Sequence, residues 1–285
     1  RHTRYGTVTG VQTCALPISP ELTANFLKFW HQFAASDHHS NIALPFFHLT
    51  GDQFWHLMPN PGFEAAIQAR VKLRTLPALR SAVQYAYLDG ELFALLQAAP
   101  SRQHLTTLLI QAWFPEKRDQ ITESFKYDEF ETIQQTLFDS GGATYNTDDL
   151  KDQDQIFVRN AAFRRNVVKL YDQRCAFCKL RVISWDGGNL VDGAHIQPFA
   201  QFRDDRFVNG LALCKNHHWA FDRGWFGVDE DYRIVIPRDR FTEEAPQESR
   251  GMMAFRGERI DLPREQRFMP SLEALKWHRE KWNAV

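Results

Sequence analysis

Cys175-Ala-Phe-Cys178 and Cys214-Lys-Asn-His217 repeat one pattern, two soft ligands with two residues between them. Over that spacing a chain can turn back and present both side chains to one ion. Two such pairs supply the four donors of a closed, tetrahedral zinc site. The 35 residues between the pairs then form a hairpin pinned at its base. One C-x-x-C carries a redox reading as well, and the second pair is what favours a metal. A site with all four positions filled is structural, so chemistry falls to other residues. A metal-assisted hydrolysis needs a base to activate water and a cation to stabilise the leaving oxygen. Histidine titrates near neutral pH and suits the first task. A divalent ion suits the second. Asp222 follows His218 by four residues, which puts the two on one helix face.

The segments Ala194-His195-Ile196-Gln197-Pro198, Val208-Asn209-Gly210 and His217-His218-Trp219-Ala220-Phe221-Asp222 stand in that order, with the zinc pairs around them. They resemble the HNH endonuclease family, in particular its McrA-like restriction enzymes. The resemblance implies a ββα-metal fold, with the first His on a hairpin, the Asn on a loop and the last His on a helix. It implies that His195 is the general base and that Asn209 orients the site by hydrogen bonding. It further implies that His218, with Asp222 as a second ligand, binds one catalytic ion such as Mg²⁺ or Mn²⁺. His217 stands where a second Cys is often found. Ala194 stands where many members carry an Asp or His metal ligand. The ion's shell then rests on His218, Asp222 and phosphate oxygens, or borrows Asp192.

These side chains need elements to position them. Residues 156–171 read as a basic amphipathic helix leading into Cys175, 190–196 and 232–236 as strands, and 214–222 as a helix. Residues 271–282 read as a helix capped by Ser271. From Arg159 to Arg181 seven basic residues face one acid, Asp172. Arg164, Arg165 and Lys169 in that run are expected to contact DNA phosphates. Upstream, 20–34 reads as a helix started by Ser19 and Pro20, and 42–58 as two short strands around Gly51-Asp52. Residues 77–88, 91–98 and 101–114 read as helices. The polar stretch 116–155, with Ser140-Gly141-Gly142 and Asp148-Asp149, is the expected linker, with some helix near 128–138.

The segment Asn41-Ile42-Ala43-Leu44-Pro45-Phe46-Phe47-His48-Leu49 resembles the sulfur-binding domain of restriction enzymes that attack phosphorothioated DNA. The resemblance implies an apolar socket at Pro45, with Leu44 and His48 as neighbours. Leu44 stands where an aromatic is typical and His48 where a smaller residue is typical. An aromatic run of this kind is also ordinary core material. The tail from Phe255 to His278 resembles the end of the same enzymes. The expected fold is therefore α+β. A mixed, mostly helical DNA-reading domain (19–115) precedes a zinc-clamped ββα-metal nuclease domain (156–285).

The chain has 285 residues, 44% of them hydrophobic, and a formal net charge of -1. That is enough apolar matter for about two cores and too little net charge for a protein that coats nucleic acid indiscriminately. No stretch approaches the ~18–20 apolar residues of a membrane span, and no Gly-rich loop cradles a nucleotide phosphate. Residues 8–18 look like the conceptual translation of a sequencing adapter. Residues 1–18 are therefore set aside, and the natural N-terminus is expected upstream. Without Cys14, three cysteines beside histidines fit metal ligation in a reducing, cytoplasmic compartment. DNA is the expected partner, and a homodimer is one way to cut both strands. Two other readings stay open: a zinc-containing DNA-binding protein without catalysis, and a structural role for 20–115.

Overall fold

The computed structural model describes residues 15–34, 40–69, 73–125, 128–146, 149, 152–185, 187–238, 240–246 and 248–283. Helices and small two-stranded antiparallel sheets make an α+β fold. The chain divides into two units, residues 1–132 with 150–158, and residues 133–149 with 159–285.

In the first unit, helix α1 (Pro20–Phe33) starts where its cap dictates. The Ser19 hydroxyl accepts from the Leu22 amide at 3.2 Å, and Pro20 fills the first helical position. Residues 42–58 correct the expectation of two strands. The first half is helix α2 (Ala43–His48) followed by a 3-10 turn at Leu49–Asp52, and strand β1 (Trp55–Pro59) comes after it. Pro45 stands in the first turn of α2, where a backbone N–H has no partner within the helix, so proline is tolerated there. Trp55 fixes the join. Its indole donates to the Phe46 carbonyl at 2.8 Å, and the two rings meet edge-on at 5.1 Å.

Beyond helix α3 (Glu64–Gln68), residues 77–88 give a second correction. Helix α4 (Leu76–Ala82) stops at Ala82, and β2 (Val83–Leu88) is a strand antiparallel to β1, with Trp55 opposite Leu88. Val83, Tyr85 and Tyr87 suit a pleated surface, and pairing with β1 decides their conformation. Helices α5 (Gly90–Gln97), α6 (Ala99–Trp113) and α7 (Arg118–Ser124) follow. Leu16 pairs with Ala86 and Ile18 is buried in this core, so residues 16–18 of the adapter-like stretch take part in the fold. Residues 1–14, Cys14 among them, lie outside the described residues, as does Asp148.

Helix α8 (Glu129–Ser140) lies in the stretch expected as a linker, and the division between units runs through that stretch. Helix α9 (Gln153–Leu170) is the expected basic helix. From Arg159 on it belongs to the second unit, where it packs on strand β3 (Val191–His195). A Cβ at Gly193 would lie 2.8 Å from the Arg164 backbone, so the strand touches the helix through glycine. After helix α10 (Phe199–Phe202), strand β4 (Gly210–Cys214) returns antiparallel to β3, with Val191 opposite Cys214 and His195 opposite Gly210. β4 is buried throughout and runs straight into helix α11 (Lys215–Phe221). Strands β5 (Gly227–Val228) and β6 (Ile234–Val235) form a short hairpin. Helix α12 (Leu272–Trp282) starts at Ser271, whose hydroxyl accepts from the Ala274 amide. Among the described residues no helix is long and apolar enough to cross a membrane.

Candidate metal centre and active site

The two ligand pairs meet. One donor atom from each of Cys175, Cys178, Cys214 and His217 lies within 4.8 Å of the other three. Ligands ~2.3 Å from a common tetrahedral centre stand a little under 4 Å apart, so the group has the size of a zinc site. Backbone bonds build it. The Cys175–Lys179 turn closes with Lys179 N donating to the Cys175 carbonyl at 2.8 Å, and Lys179 takes a left-handed φ of 62°. Ala176 N donates to the Ala212 carbonyl at 2.7 Å, which docks the turn on β4 beside Cys214. His217 Nδ1 lies 3.0 Å from Cys214 Sγ and 3.7 Å from Cys175 Sγ, and the ring stacks on Phe177 at 4.2 Å. Burial works to lower the His217 pKa, yet hydrogen bonding to the Cys178 and Cys214 sulfurs outweighs it and pushes it up to about 9. Hydrogen bonding to Cys178 and Cys214 holds the Cys175 thiol well up, and hydrogen bonding from Cys175 and Cys178 holds Cys214 well down. Crowded sulfurs that compete for protons in this way are a suitable donor set for a soft cation.

His195 stands at the end of β3 with its side chain 11% exposed. Its ring stacks on Phe163 of α9, with centroids 4.0 Å apart and planes 9° from parallel. Nε2 lies 2.8 Å from Oδ1 of Asp205, which is buried. An ionised carboxylate only accepts, so Nε2 carries the proton and Nδ1 is the basic nitrogen. Asp205 was not among the residues singled out from sequence. Its signal is the Asp204-Asp205 pair between His195 and Asn209, and separation by ten residues hid the contact with His195. Tyr145 completes the cluster. Burial, then the Asp205 charge, push its pKa up to about 12, and the Arg159 guanidinium lies 4.9 Å from its ring centroid.

Asn209 is buried and bonded to backbone. Its Oδ1 accepts from Gln197 N at 2.9 Å, and its Nδ2 donates to the carbonyls of Gln197 and Asp204 at 3.1 and 3.0 Å. It ties the residues after His195 to those before Asp205. His218 lies between two carboxylates, with Nδ1 3.5 Å from Asp192 and Nε2 3.7 Å from Asp222. Asp192 Oδ2 also takes Arg164 and Lys215, each at 3.1 Å. Burial raises the Asp192 pKa, but hydrogen bonding from His218 and the charges of Arg164 and Lys215 hold it well below the usual carboxylate range. Ala194, the residue before His195, is fully buried.

Arg164, Arg165 and Lys169 are exposed on α9, and Lys169 Nζ lies 5.1 Å from the Phe138 ring centroid. In the first unit, Leu44, Pro45 and His48 form the exposed side of α2, while Ala43, Phe46 and Phe47 face the core. The aromatic run is thus core, and the residues expected to read DNA are its outer face.

The second unit thus carries an imidazole held by a carboxylate on a β-hairpin, a following helix with a second imidazole and a carboxylate one turn later, and a Cys/His cluster. Residues 175–229 match the family described as HNH endonuclease. The matched span begins at the first cysteine of the cluster and runs past His195, Asn209, His218 and Asp222. A solved structure described as a modification dependent TagI restriction endonuclease is also similar, at 24% identity and a TM-score of 0.32. The similarity covers 44% of this chain and 38% of that one, so the chain spans well under half of that protein. No curated protein matches the chain.

Proposed function

We propose that the chain is a metal-dependent HNH endonuclease that hydrolyses DNA phosphodiester bonds. The observation that carries this is the 2.8 Å contact between His195 Nε2 and Asp205, within the span that matches the family. Asp205 orients the ring and stabilises the imidazolium that forms when Nδ1 takes a proton from the attacking water. Asn209 holds the backbone on either side of this pair in place. His218 and Asp222 are the side chains that would hold the catalytic ion. Asp192, on the other nitrogen of His218, fixes the ring and tautomer as outer-shell carboxylates do. When bound there, a divalent ion supplies positive charge to the leaving oxygen. Cys175, Cys178, Cys214 and His217 hold a structural zinc that ties the hairpin to α11.

The biological role that fits is restriction of modified DNA. The first unit would read the mark through Leu44, Pro45 and His48, whose exposure together on one helix supports a contact surface. Cleavage of supercoiled plasmid in plain, methylated and phosphorothioated form, with Mg²⁺ or Mn²⁺, tests this. Preference for one modified plasmid, lost on Pro45→Ala, is the expected result. Equal cutting of all three would end the modification reading and leave the nuclease. One observation favours a non-cleaving DNA binder instead. With Ala194 in place of a ligand, two protein side chains, His218 and Asp222, remain to hold the catalytic ion.

A further inference from the structure

The second unit has a cavity of about 660 Å³ on the β5–β6 hairpin, and none of its described lining residues belongs to the Cys/His cluster or to the His195 and His218 sites. Arg233, Arg238, Arg240 and Arg256 line it, over Ile236 and Pro237. Asp229 is the acid in its described lining, and its carboxylate already accepts from the amides of Asp231 and Arg233 at 2.9 and 2.7 Å. Backbone carbonyls aim three of the guanidinium groups. Arg233 donates to Gly257 at 2.9 Å, Arg256 to Ile236 at 2.6 Å, and Arg240 to Trp282. A carbonyl orients a guanidinium without neutralising it, and five N–H donors per group leave several for a ligand. Four arginines, three of them oriented, against one occupied carboxylate among the described lining residues, in a chain of net charge -1, make a local anion site.

Charge and shape narrow the ligand. Planar forks match phosphate oxygens in pairs. No aromatic ring is among the described lining residues, so no base has a platform on which to stack. Cations elsewhere in the unit are partly spent. Arg164 and Lys215 sit on Asp192, and Arg174 and Arg181 lie 3.7 and 3.6 Å from Asp172. We infer that the arginine-lined cavity holds the phosphodiester backbone of duplex DNA beyond the cutting site, as a sequence-independent anchor. This rests on the DNA reading proposed above.

The test is binding of the full chain to a fluorescein-labelled duplex, without divalent ions, between about 50 and 200 mM salt. Each phosphate contact contributes ~0.9 to the slope of log affinity against log salt. R238Q should lower the slope by about 1 and R238Q/R240Q by about 2, with weaker binding to plain and modified duplexes alike. R238K/R240K keeps the charge and should keep most of the slope, which separates charge from folding. The exposed single variant R238Q answers the question even if the double variant does not fold. An unchanged slope and affinity in R238Q and R238Q/R240Q, beside a wild type that binds, overturns the anchor and spares the nuclease. A wild type that binds no duplex at any salt overturns both.

Discussion

Asp205 gives His195 its chemical identity. Held 2.8 Å from a buried carboxylate and flat against Phe163, the imidazole has one proton position and one orientation. Asp205→Asn preserves the shape but lets the ring take either tautomer. It should lower kcat on the order of 10²-fold, within the range of general-base contributions, with little change in KM. A plasmid-nicking assay measures it, and full activity in that variant would remove Asp205 from the mechanism. His218 makes a different case. Its two nitrogens face Asp192 and Asp222 at 3.5 and 3.7 Å, so Asp222→Ala should raise the concentration of Mg²⁺ or Mn²⁺ needed for half-maximal cutting about 10-fold or more. A metal titration that does not move would deny Asp222 its place as a ligand.

The elements hold these residues through a few close approaches. β3 touches α9 through Gly193, where a methyl group would meet the Arg164 backbone at 2.8 Å. Gly193→Ala should cost about 1–3 kcal/mol in urea unfolding as strand and helix move apart. The zinc turn is the other tie. Stripping the ion with a chelator, or Cys214→Ser, should melt the second unit and leave the first folded, because metal binding to such a site is folding free energy. Hydrogen exchange that stays unchanged in β3, β4 and α11 after zinc removal would contradict this.

Much of this scale is legible in sequence because it is local. Ser19-Pro20 and Ser271 announce their helices, and the two ligand pairs announce their meeting. The runs 42–58 and 83–88 were harder. Val83 and Tyr85 are apolar in a pattern that fits helix or strand alike, and it is the β1–β2 pairing that settles which. Asp205 was hidden for the same reason, since its partner is set by a loop that Asn209 ties together. Even where an element was read correctly, as with α9, the Arg164–Asp192 pair that draws on its positive charge was not visible.

Stability of the whole molecule should depend on pH through buried His278. It is 3% exposed and stacked on Phe221 at 3.7 Å, and its Nε2–H donates to the Phe221 carbonyl while buried Nδ1 has no hydrogen-bond partner among the described residues. Burial pushes its pKa down to about 4. The unfolded chain takes up that proton near pH 6.5 and the folded chain does so only near 4, so the stability present above 6.5 is lost as pH falls through this window. The loss is up to about 3 kcal/mol. Buried Asp154 in the first unit works the opposite way. Burial pushes it up to about 6, so its contribution is greatest below its ordinary value of 3.8 and is lost as pH rises through 6. Comparison with His278→Gln isolates the histidine. The Tm gap between wild type and variant should narrow from pH 7 to pH 4, and a constant gap would show that His278 is not the titrating group.

The most direct measurement is nicking of supercoiled plasmid by the full chain and by His195→Ala, each shown to be folded and to carry one zinc. Cutting by the wild type that needs Mg²⁺ or Mn²⁺ and disappears in the variant is the predicted result. Equal cutting by both proteins, or none by a folded, zinc-loaded wild type with either ion, would contradict the assignment of His195 as the base of an HNH nuclease.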